Sequence, residues 1–156
     1  MIRYPRGKGE MADWRNEMHV LPIGKGKKLR DGDDIAILSL GPIGNEVIKA
    51  IKEIEGDGIS IAHYDMIYLK PMDEELLHEV GKKFSRIITV ENGVIRGGLG
   101  SAVLEFMADN GYTPKIKRIG VPDEFVEHGP ISELYKLCGM DAKCIAEEIK
   151  KMVIGG

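Results

Sequence analysis

The feature that most constrains the fold of this chain is a regular alternation of apolar strands with helical patterns. Four short segments typical of strands are each followed by glycine or proline and then by a helix; they span residues 35–40, 59–66, 86–91 and 115–119. Strands that alternate with helices form βαβ units, which build a parallel sheet covered on both faces. We therefore predict an α/β fold, a three-layer α/β/α sandwich with a mostly parallel sheet.

Helix boundaries are predicted from caps and from apolar residues that share one face. Asn45 is placed to cap the first helix, and Pro71 falls near the first turn of the second. The helices are predicted over residues 45–55, 71–84, 101–110, 131–137 and 141–153. The apolar face of the first helix is predicted to contain Val47, Ile48, Ile51 and Ile54.

One more strand is predicted within residues 20–30, before the turn Asp31-Gly32-Asp33-Asp34. Because a tight turn joins it to the next strand, we expect it to lie antiparallel at an edge of the sheet. Residues 1–18 are predicted to be a leader or interdomain linker, and residues 19–156 to form the α/β domain.

Size and charge restrict the class of protein. A chain of 156 residues fits one domain, which buries ~68–70% of its unfolded surface. Residues 1–30 hold eight Lys or Arg against three acids, whereas the whole chain has a net charge of −3. This asymmetry argues against a nucleic-acid binder but allows a local anion site near the N-terminus.

The chain shows no pattern for secretion or for a membrane span. No apolar h-region follows Met1, and the apolar runs are far shorter than the ~20 residues that a span needs. Cys138 and Cys144 are six residues apart, a spacing typical of neither zinc nor redox sites. We expect both thiols to be reduced and structural, in a cytoplasmic protein.

A doubly cationic elbow, Arg3-Tyr4-Pro5-Arg6-Gly7, opens the chain. No helix cap or apolar run precedes it, so we expect the chain to continue a longer protein. Guanidinium groups pair bidentately with phosphate or carboxylate, and Pro5 limits the conformations of the segment. The elbow therefore suits an anion site, although for the pentapeptide alone a solvated basic tail is the preferred explanation.

Two glycine motifs resemble cofactor sites but fit them poorly. Gly56-Asp57-Gly58 resembles the start of the diphosphate–metal motif of thiamine enzymes, but it follows a helix and the next asparagine, Asn92, is too distant. We interpret it as a helix stop, so no metal site is predicted. Gly97-Gly98-Leu99-Gly100-Ser101 could hold an anion at a helix N-terminus, but it fails the dinucleotide fingerprint at Val103. The preferred explanation is that the glycines let the helix start close against a neighbouring backbone.

Single polar residues give weaker signals. Glu91 ends a strand, where α/β proteins place functional groups, but a lone carboxylate there is as often a loop cap. The histidines His19, His63, His78 and His128 form no ligand or triad spacing.

Six segments are informative when they are taken together and in order. They are Arg3-Tyr4-Pro5-Arg6-Gly7, Leu21-Pro22-Ile23-Gly24-Lys25-Gly26, Lys70-Pro71-Met72-Asp73-Glu74-Glu75-Leu76, Thr89-Val90-Glu91-Asn92, Gly97-Gly98-Leu99-Gly100-Ser101-Ala102-Val103 and Gly120-Val121-Pro122-Asp123-Glu124-Phe125-Val126-Glu127-His128-Gly129. This series covers almost the whole chain and resembles the 1-deoxy-D-xylulose-5-phosphate synthase family, where it corresponds to the C-terminal quarter of such an enzyme.

The resemblance implies a transketolase C-terminal-type domain of a transferase that acts in isoprenoid precursor synthesis. Such an enzyme uses thiamine diphosphate and Mg²⁺ to condense pyruvate with glyceraldehyde 3-phosphate, with release of CO₂. The family's cofactor-binding domains lie upstream, so the resemblance implies no catalytic, cofactor or metal residue in this chain, which alone should be inactive. It also implies a homodimer in the full-length enzyme, with the upstream domains as partners and no nucleic acid or membrane partner.

In the family, the second arginine of the elbow motif contacts the phosphate of the aldehyde substrate, a role that passes by resemblance to Arg6, with Arg3 as a second candidate. Two positions depart from the family. Ile67 stands where an arginine is usual, and Glu91 is followed directly by Asn92 instead of by a second acid. The segments around Lys70 and residues 125–129 are expected to serve packing or interfaces.

Two other functions remain open at this stage. The chain could be the C-terminal domain of another thiamine enzyme, such as transketolase or the β subunit of a 2-oxoacid dehydrogenase. It could also be a non-catalytic binding or oligomerisation module.

Overall fold

The structure is a computed structural model that describes residues 20–155. In these residues the elements follow the order β1 (Lys27–Arg30), β2 (Ile35–Leu40), α1 (Gly44–Glu53), β3 (Ile61–Asp65), α2 (Glu74–Lys83), β4 (Arg86–Val94), α3 (Leu99–Asp109), β5 (Lys115–Val121), α4 (Ile131–Leu137) and α5 (Ala142–Ile154). A 3₁₀ turn, Gly41–Ile43, leads into α1. Among the described helices, none has both the length and the apolar character to traverse a bilayer.

The strands form one sheet in the order β1-β3-β2-β4-β5. β2 pairs in parallel with both β3 and β4, and β4 pairs in parallel with β5. Only β1 is antiparallel, and it lies at the edge, paired with β3. The sheet therefore confirms the prediction of a mostly parallel arrangement with one antiparallel edge strand.

Helices cover both faces of the sheet. Along β2, Ile35 and Ile37 pack into one apolar cluster with α1 and α5, whereas Ala36 and Leu38 pack into a second cluster with α2 and α3. Successive strand residues point to opposite faces, so a fully apolar strand such as β2 supplies both clusters. The three-layer α/β/α sandwich is confirmed.

The position of β1 has a different cause from the one inferred from the sequence. The turn after β1 does not form a hairpin with β2, because β3 and β4 occupy both edges of β2. Instead the amides of Asp33 and Asp34 donate to the Ser60 carbonyl oxygen, at 3.2 and 2.8 Å. These hydrogen bonds hold the turn beside the start of β3, and β1 pairs with the outer edge of that strand.

Two helix starts differ from the prediction. Asn45 does not cap α1, because the 3₁₀ turn around Pro42 delivers the chain directly into the helix. Pro71 lies outside α2, where Asp73 is the cap and its Oδ1 accepts from the Leu76 amide at 3.2 Å. The α1 face differs too: Ala50 is fully buried, whereas Ile48 is 39% exposed.

Candidate functional site

Arg3 and Arg6, the predicted anion-binding residues, lie outside the described residues. Their role therefore stays a prediction. Just before β1, Lys25 and Gly26 contact Asp73 and Glu75 at the start of α2, a set of contacts that we call the junction. There Lys25 is paired with Glu75 and lies 3.5 Å from an oxygen of Asp73.

Asp73 is the centre of this junction. Its Oδ2 accepts from the Gly26 amide at 3.0 Å, while its Oδ1 caps α2. Burial alone would raise the pKa of Asp73, but the two amide hydrogen bonds and Lys25 outweigh it and lower the pKa below its ordinary value. The junction thus carries a carboxylate that remains charged.

The two family-like segments on either side of this junction pack against each other. A Cβ at Gly24, where φ is +74°, would lie 3.0 Å from the Pro71 side chain. The segment around Lys25 therefore packs closely against the segment around Lys70 at the start of the domain.

The glycine motif before α3 is filled by a side chain of the protein itself. Glu91 is 4% exposed, and its two carboxylate oxygens accept from the amides of Leu99 and Gly100 at 2.8 and 2.9 Å. A helix N-terminus favours an anion, and here the anion is Glu91. Of the two interpretations of Glu91, the structure shows the cap.

The glycines permit this close approach. A Cβ at Gly98 would lie 1.9 Å from Glu91 Oε2, and one at Gly100 would lie 2.7 Å from both Arg118 Cδ and Thr89 Oγ1. Arg118 also donates to the Ile95 carbonyl oxygen at 3.0 Å. The close packing predicted at the start of α3 is present, but the predicted neighbour was wrong: the helix packs against side chains and not against a backbone.

A buried polar pair lies between β2 and β3. Ser39 Oγ and His63 Nε2 are 2.8 Å apart, and both residues are almost inaccessible to solvent. Burial lowers the pKa of His63 to about 4, so the imidazole is neutral near pH 7. No substrate can reach a pair sealed in this way, so we assign it a structural role.

The described residues offer poor ligands for a metal–diphosphate cofactor. No group of three His, Cys, Asp or Glu side chains among residues 20–155 is arranged to hold a metal ion. The Asp57 carboxylate is paired with Lys150 at 2.7 Å. The helix N-terminus of α3 is occupied by Glu91. These residues do not fit the cofactor that the resemblance implies.

Both thiols of the chain are free. A hydrogen bond to Asp141, together with burial, raises the pKa of Cys144 to about 11. A thiol with so high a pKa is a poor nucleophile at neutral pH, which agrees with the structural role predicted for it.

Sequence reasoning missed a cleft at the carboxyl ends of β4 and β5. It has a volume of about 550 Å³, and its lining includes Ile95, Pro122, Leu137 and Cys138. Arg96 and Asp123 also line the cleft and lie 3.7 Å apart. The available signal was Pro122-Asp123 directly after a strand, since the carboxyl ends of parallel strands are where such folds place their sites.

Residues 123–137, which we call the arm, border this cleft. Phe125 is 95% exposed and Leu137 is 74% exposed. The structure describes all seven residues of α4, and none of them is buried. His128 also lies on the arm and is exposed.

Ile67, the residue that replaces the family's arginine, has an unusual backbone. Its φ is +55°, in the left-handed region that a β-branched residue rarely adopts. The Asp65 side chain accepts from its amide at 3.0 Å and supports the turn after β3.

Comparison with known proteins agrees with the α/β/α fold. The family described as "Transketolase, C-terminal domain" matches residues 24–145. The chain belongs to this transketolase C-terminal domain family. A solved structure described as "Split gene transketolase, inactive beta4 tetramer" has a TM-score of 0.77 and 32% identity, over 86% of this chain and 43% of that one.

Curated relatives of this transketolase C-terminal domain carry the name 1-deoxy-D-xylulose-5-phosphate synthase. The protein from Parabacteroides distasonis is 79% identical over 97% of this chain and 24% of its own length. Those from Bacteroides fragilis and Cytophaga hutchinsonii are 59% and 54% identical, over 96% and 97% of this chain and 23% and 24% of their own lengths. The chain thus spans about a quarter of the length of these relatives, and the resemblance stated from the sequence is confirmed.

Proposed function

We propose that this chain is the C-terminal domain of a 1-deoxy-D-xylulose-5-phosphate synthase. Identity of 79% to a curated synthase over 97% of the chain is the observation that supports this most strongly. The proposed reaction joins pyruvate to glyceraldehyde 3-phosphate with loss of CO₂, in the cytoplasm, for isoprenoid precursor synthesis. The relatives' names favour this reaction over those of transketolase or of a 2-oxoacid dehydrogenase.

In this proposal thiamine diphosphate and Mg²⁺ bind to other domains of the longer protein, which forms a homodimer. The poor fit of residues 20–155 to such a cofactor supports this division. When bound, the cofactor supplies the carbanion chemistry, and the protein provides the binding and orientation of the reactants. The present domain contributes a contact to the aldehyde and surfaces that pack against the rest of the enzyme.

Arg6 is the proposed contact to the phosphate of the aldehyde, with Arg3 as a second candidate. A guanidinium matches two phosphate oxygens at once, and Pro5 between the arginines reduces the entropy lost when the elbow is ordered. This role rests on the resemblance, since both arginines lie outside residues 20–155.

The first prediction tests Arg6 in a chimera in which this chain replaces the matching 151 residues of the Parabacteroides distasonis synthase. A charge-assisted bond to phosphate contributes ~1.5–3 kcal/mol, so Arg6→Ala should lower kcat/KM for glyceraldehyde 3-phosphate by ~10- to 150-fold. Arg6→Lys should recover part of the loss, because the charge remains but the fork does not. Arg3→Ala, assayed in parallel, shows whether Arg3 also contacts the phosphate.

Unphosphorylated glyceraldehyde is the control, since it has no phosphate to lose. Its turnover should hardly change in the Arg6 variants. If both aldehydes lose activity equally, Arg6 supports the structure and the proposed phosphate contact is wrong. The unsubstituted chimera should be active. If it turns over neither glyceraldehyde 3-phosphate nor glyceraldehyde, the proposed function itself is contradicted.

A further inference from the structure

The arm is a part of the described domain that leaves several large apolar side chains exposed. Each of α1, α2, α3 and α5 buries several apolar side chains, whereas α4 buries none. Phe125, Ile131 and Leu137 are 95%, 48% and 74% exposed. Large apolar side chains exposed together in one segment usually mark an interaction site.

The arm is nevertheless attached to the domain at defined points. Asn92 Nδ2 donates to the Tyr135 hydroxyl at 3.2 Å, and the Met140 amide donates to the Tyr135 carbonyl oxygen at 2.7 Å. Tyr135 also packs against the cluster beneath α1 and α5. A segment that is fixed in this way presents its apolar side chains in an ordered arrangement, which lowers the entropy cost of binding.

We propose that the arm and the adjoining cleft dock against the preceding domains of the longer polypeptide, on an apolar surface surrounded by Lys or Arg. This inference rests on the proposed function. About three quarters of the length of the relatives lies outside this chain, so a large covering surface exists in such a protein. The cleft of about 550 Å³ beside Leu137 has room for an inserted side chain.

The charges of the arm favour such a partner over a second copy of this chain. Residues 123–137 hold four acids, Asp123, Glu124, Glu127 and Glu133, against one lysine, Lys136. Arg96 of the adjoining cleft pairs with Asp123, which still leaves the surface acidic. In a two-fold symmetric contact the same patch meets itself, so this acidic segment would face its own charges. A basic surface complements it.

Hydrogen exchange provides the test, with the arm compared in the isolated 156-residue chain and in the chimera. If the arm docks on the preceding domains, its amides should exchange ~10-fold or more slowly in the chimera than in the isolated chain. Strand β2, whose first five residues are buried, is the internal reference and should exchange slowly in both. Hydrogen exchange is measured independently of turnover. Loss of turnover in the chimera would contradict the proposed function, whereas the exchange rates of the arm alone test the docking.

Two results would overturn the docking proposal. Equal, fast exchange of the arm in both proteins would show a free surface. Protection in the isolated chain that grows with protein concentration would show that a second copy is the occupant.

Paired variants of the chimera test the side chains and the charges separately. Phe125→Ser combined with Leu137→Ser should return arm exchange to the rate of the isolated chain. Ile154→Ser is the matched control, since Ile154 is 72% exposed but lies at the end of α5, and it should leave the protection unchanged. Glu124→Lys with Glu127→Lys should also lower the protection, and no change there would contradict a basic partner surface.

Discussion

At the scale of single residues, Glu91 decides what the glycine motif can do. Its carboxylate satisfies two amides at the start of α3, and the arrangement depends on the absence of a side chain at Gly98. The sequence indicated both a strand-end carboxylate and a helix N-terminus suited to an anion. It could not indicate that the two features satisfy each other, because their contact depends on the path of residues 92–97.

The second prediction is that Gly98→Ala destabilises the domain by ~2–4 kcal/mol. The new Cβ would lie 1.9 Å from Glu91 Oε2, so overpacking adds to the loss of the cap. Urea unfolding of the chain measures the effect. Gly56→Ala is the control, because no atom lies within 4 Å of its Cβ position, and it should change stability little. Equal effects of the two substitutions would show that Glu91 yields without cost.

The third prediction concerns His63, whose pKa is lowered to about 4 in the folded state from an ordinary 6.5. The unfolded chain therefore binds the proton first, and the stability contributed by the neutral imidazole is present above pH 6.5. It decreases as the pH falls towards 4. His63→Gln should reduce the loss of unfolding free energy between pH 7 and 4.5 by ~2–3 kcal/mol. Urea unfolding at the two pH values measures this, and an unchanged pH dependence would contradict the assignment.

At the scale of elements, the positions of the strands in the sequence were predictable, whereas the pairing partner of β1 and the start of α2 were not. The apolar runs identified β2, β3 and β4, because a strand buried on both faces is mostly apolar. β5 lies at the edge of the sheet, and its apolar residues alternate with Lys115, Lys117 and Arg118. The edge position of β1 was predicted, but its partner depends on the long-range contact between Asp34 and Ser60. The start of α2 was misplaced for a similar reason, since Asp73 serves the helix and the distant Gly26 together.

The fourth prediction compares two helix caps that differ in their further contacts. Asp141 Oδ1 accepts from the Cys144 amide at 3.1 Å, so Asp141→Ala should cost ~1 kcal/mol. Asp73→Ala should cost ~2–3 kcal/mol, because the Gly26 amide and Lys25 also lose their partner. Thermal and urea unfolding give both values. Asp73→Asn should recover the part that belongs to the cap, and equal costs for the two alanine variants would mean that the junction contributes nothing.

At the scale of the whole molecule, the layers of the sandwich followed from the sequence because each buries its own apolar face. The exposure of the arm could not be predicted in that way. Residues 131–137 were correctly predicted to be helical, but the burial of a helix depends on what covers it. The predicted elbow residues Arg3 and Arg6 lie outside the described chain, so that part of the site still rests on the sequence.

The last prediction is that the isolated chain binds no thiamine diphosphate. Among residues 20–155 the anion-binding helix N-terminus of α3 is occupied by Glu91, Asp57 is paired with Lys150, and no acidic cluster could hold Mg²⁺. Titration calorimetry of the chain with millimolar thiamine diphosphate and Mg²⁺ should show no saturable heat, whereas the chimera should bind. Saturable binding by the isolated chain would place a cofactor site in this domain. If that site were the N-terminus of α3, Glu91 would have to leave its two amides, so Gly98→Ala would change the affinity and Gly56→Ala would not.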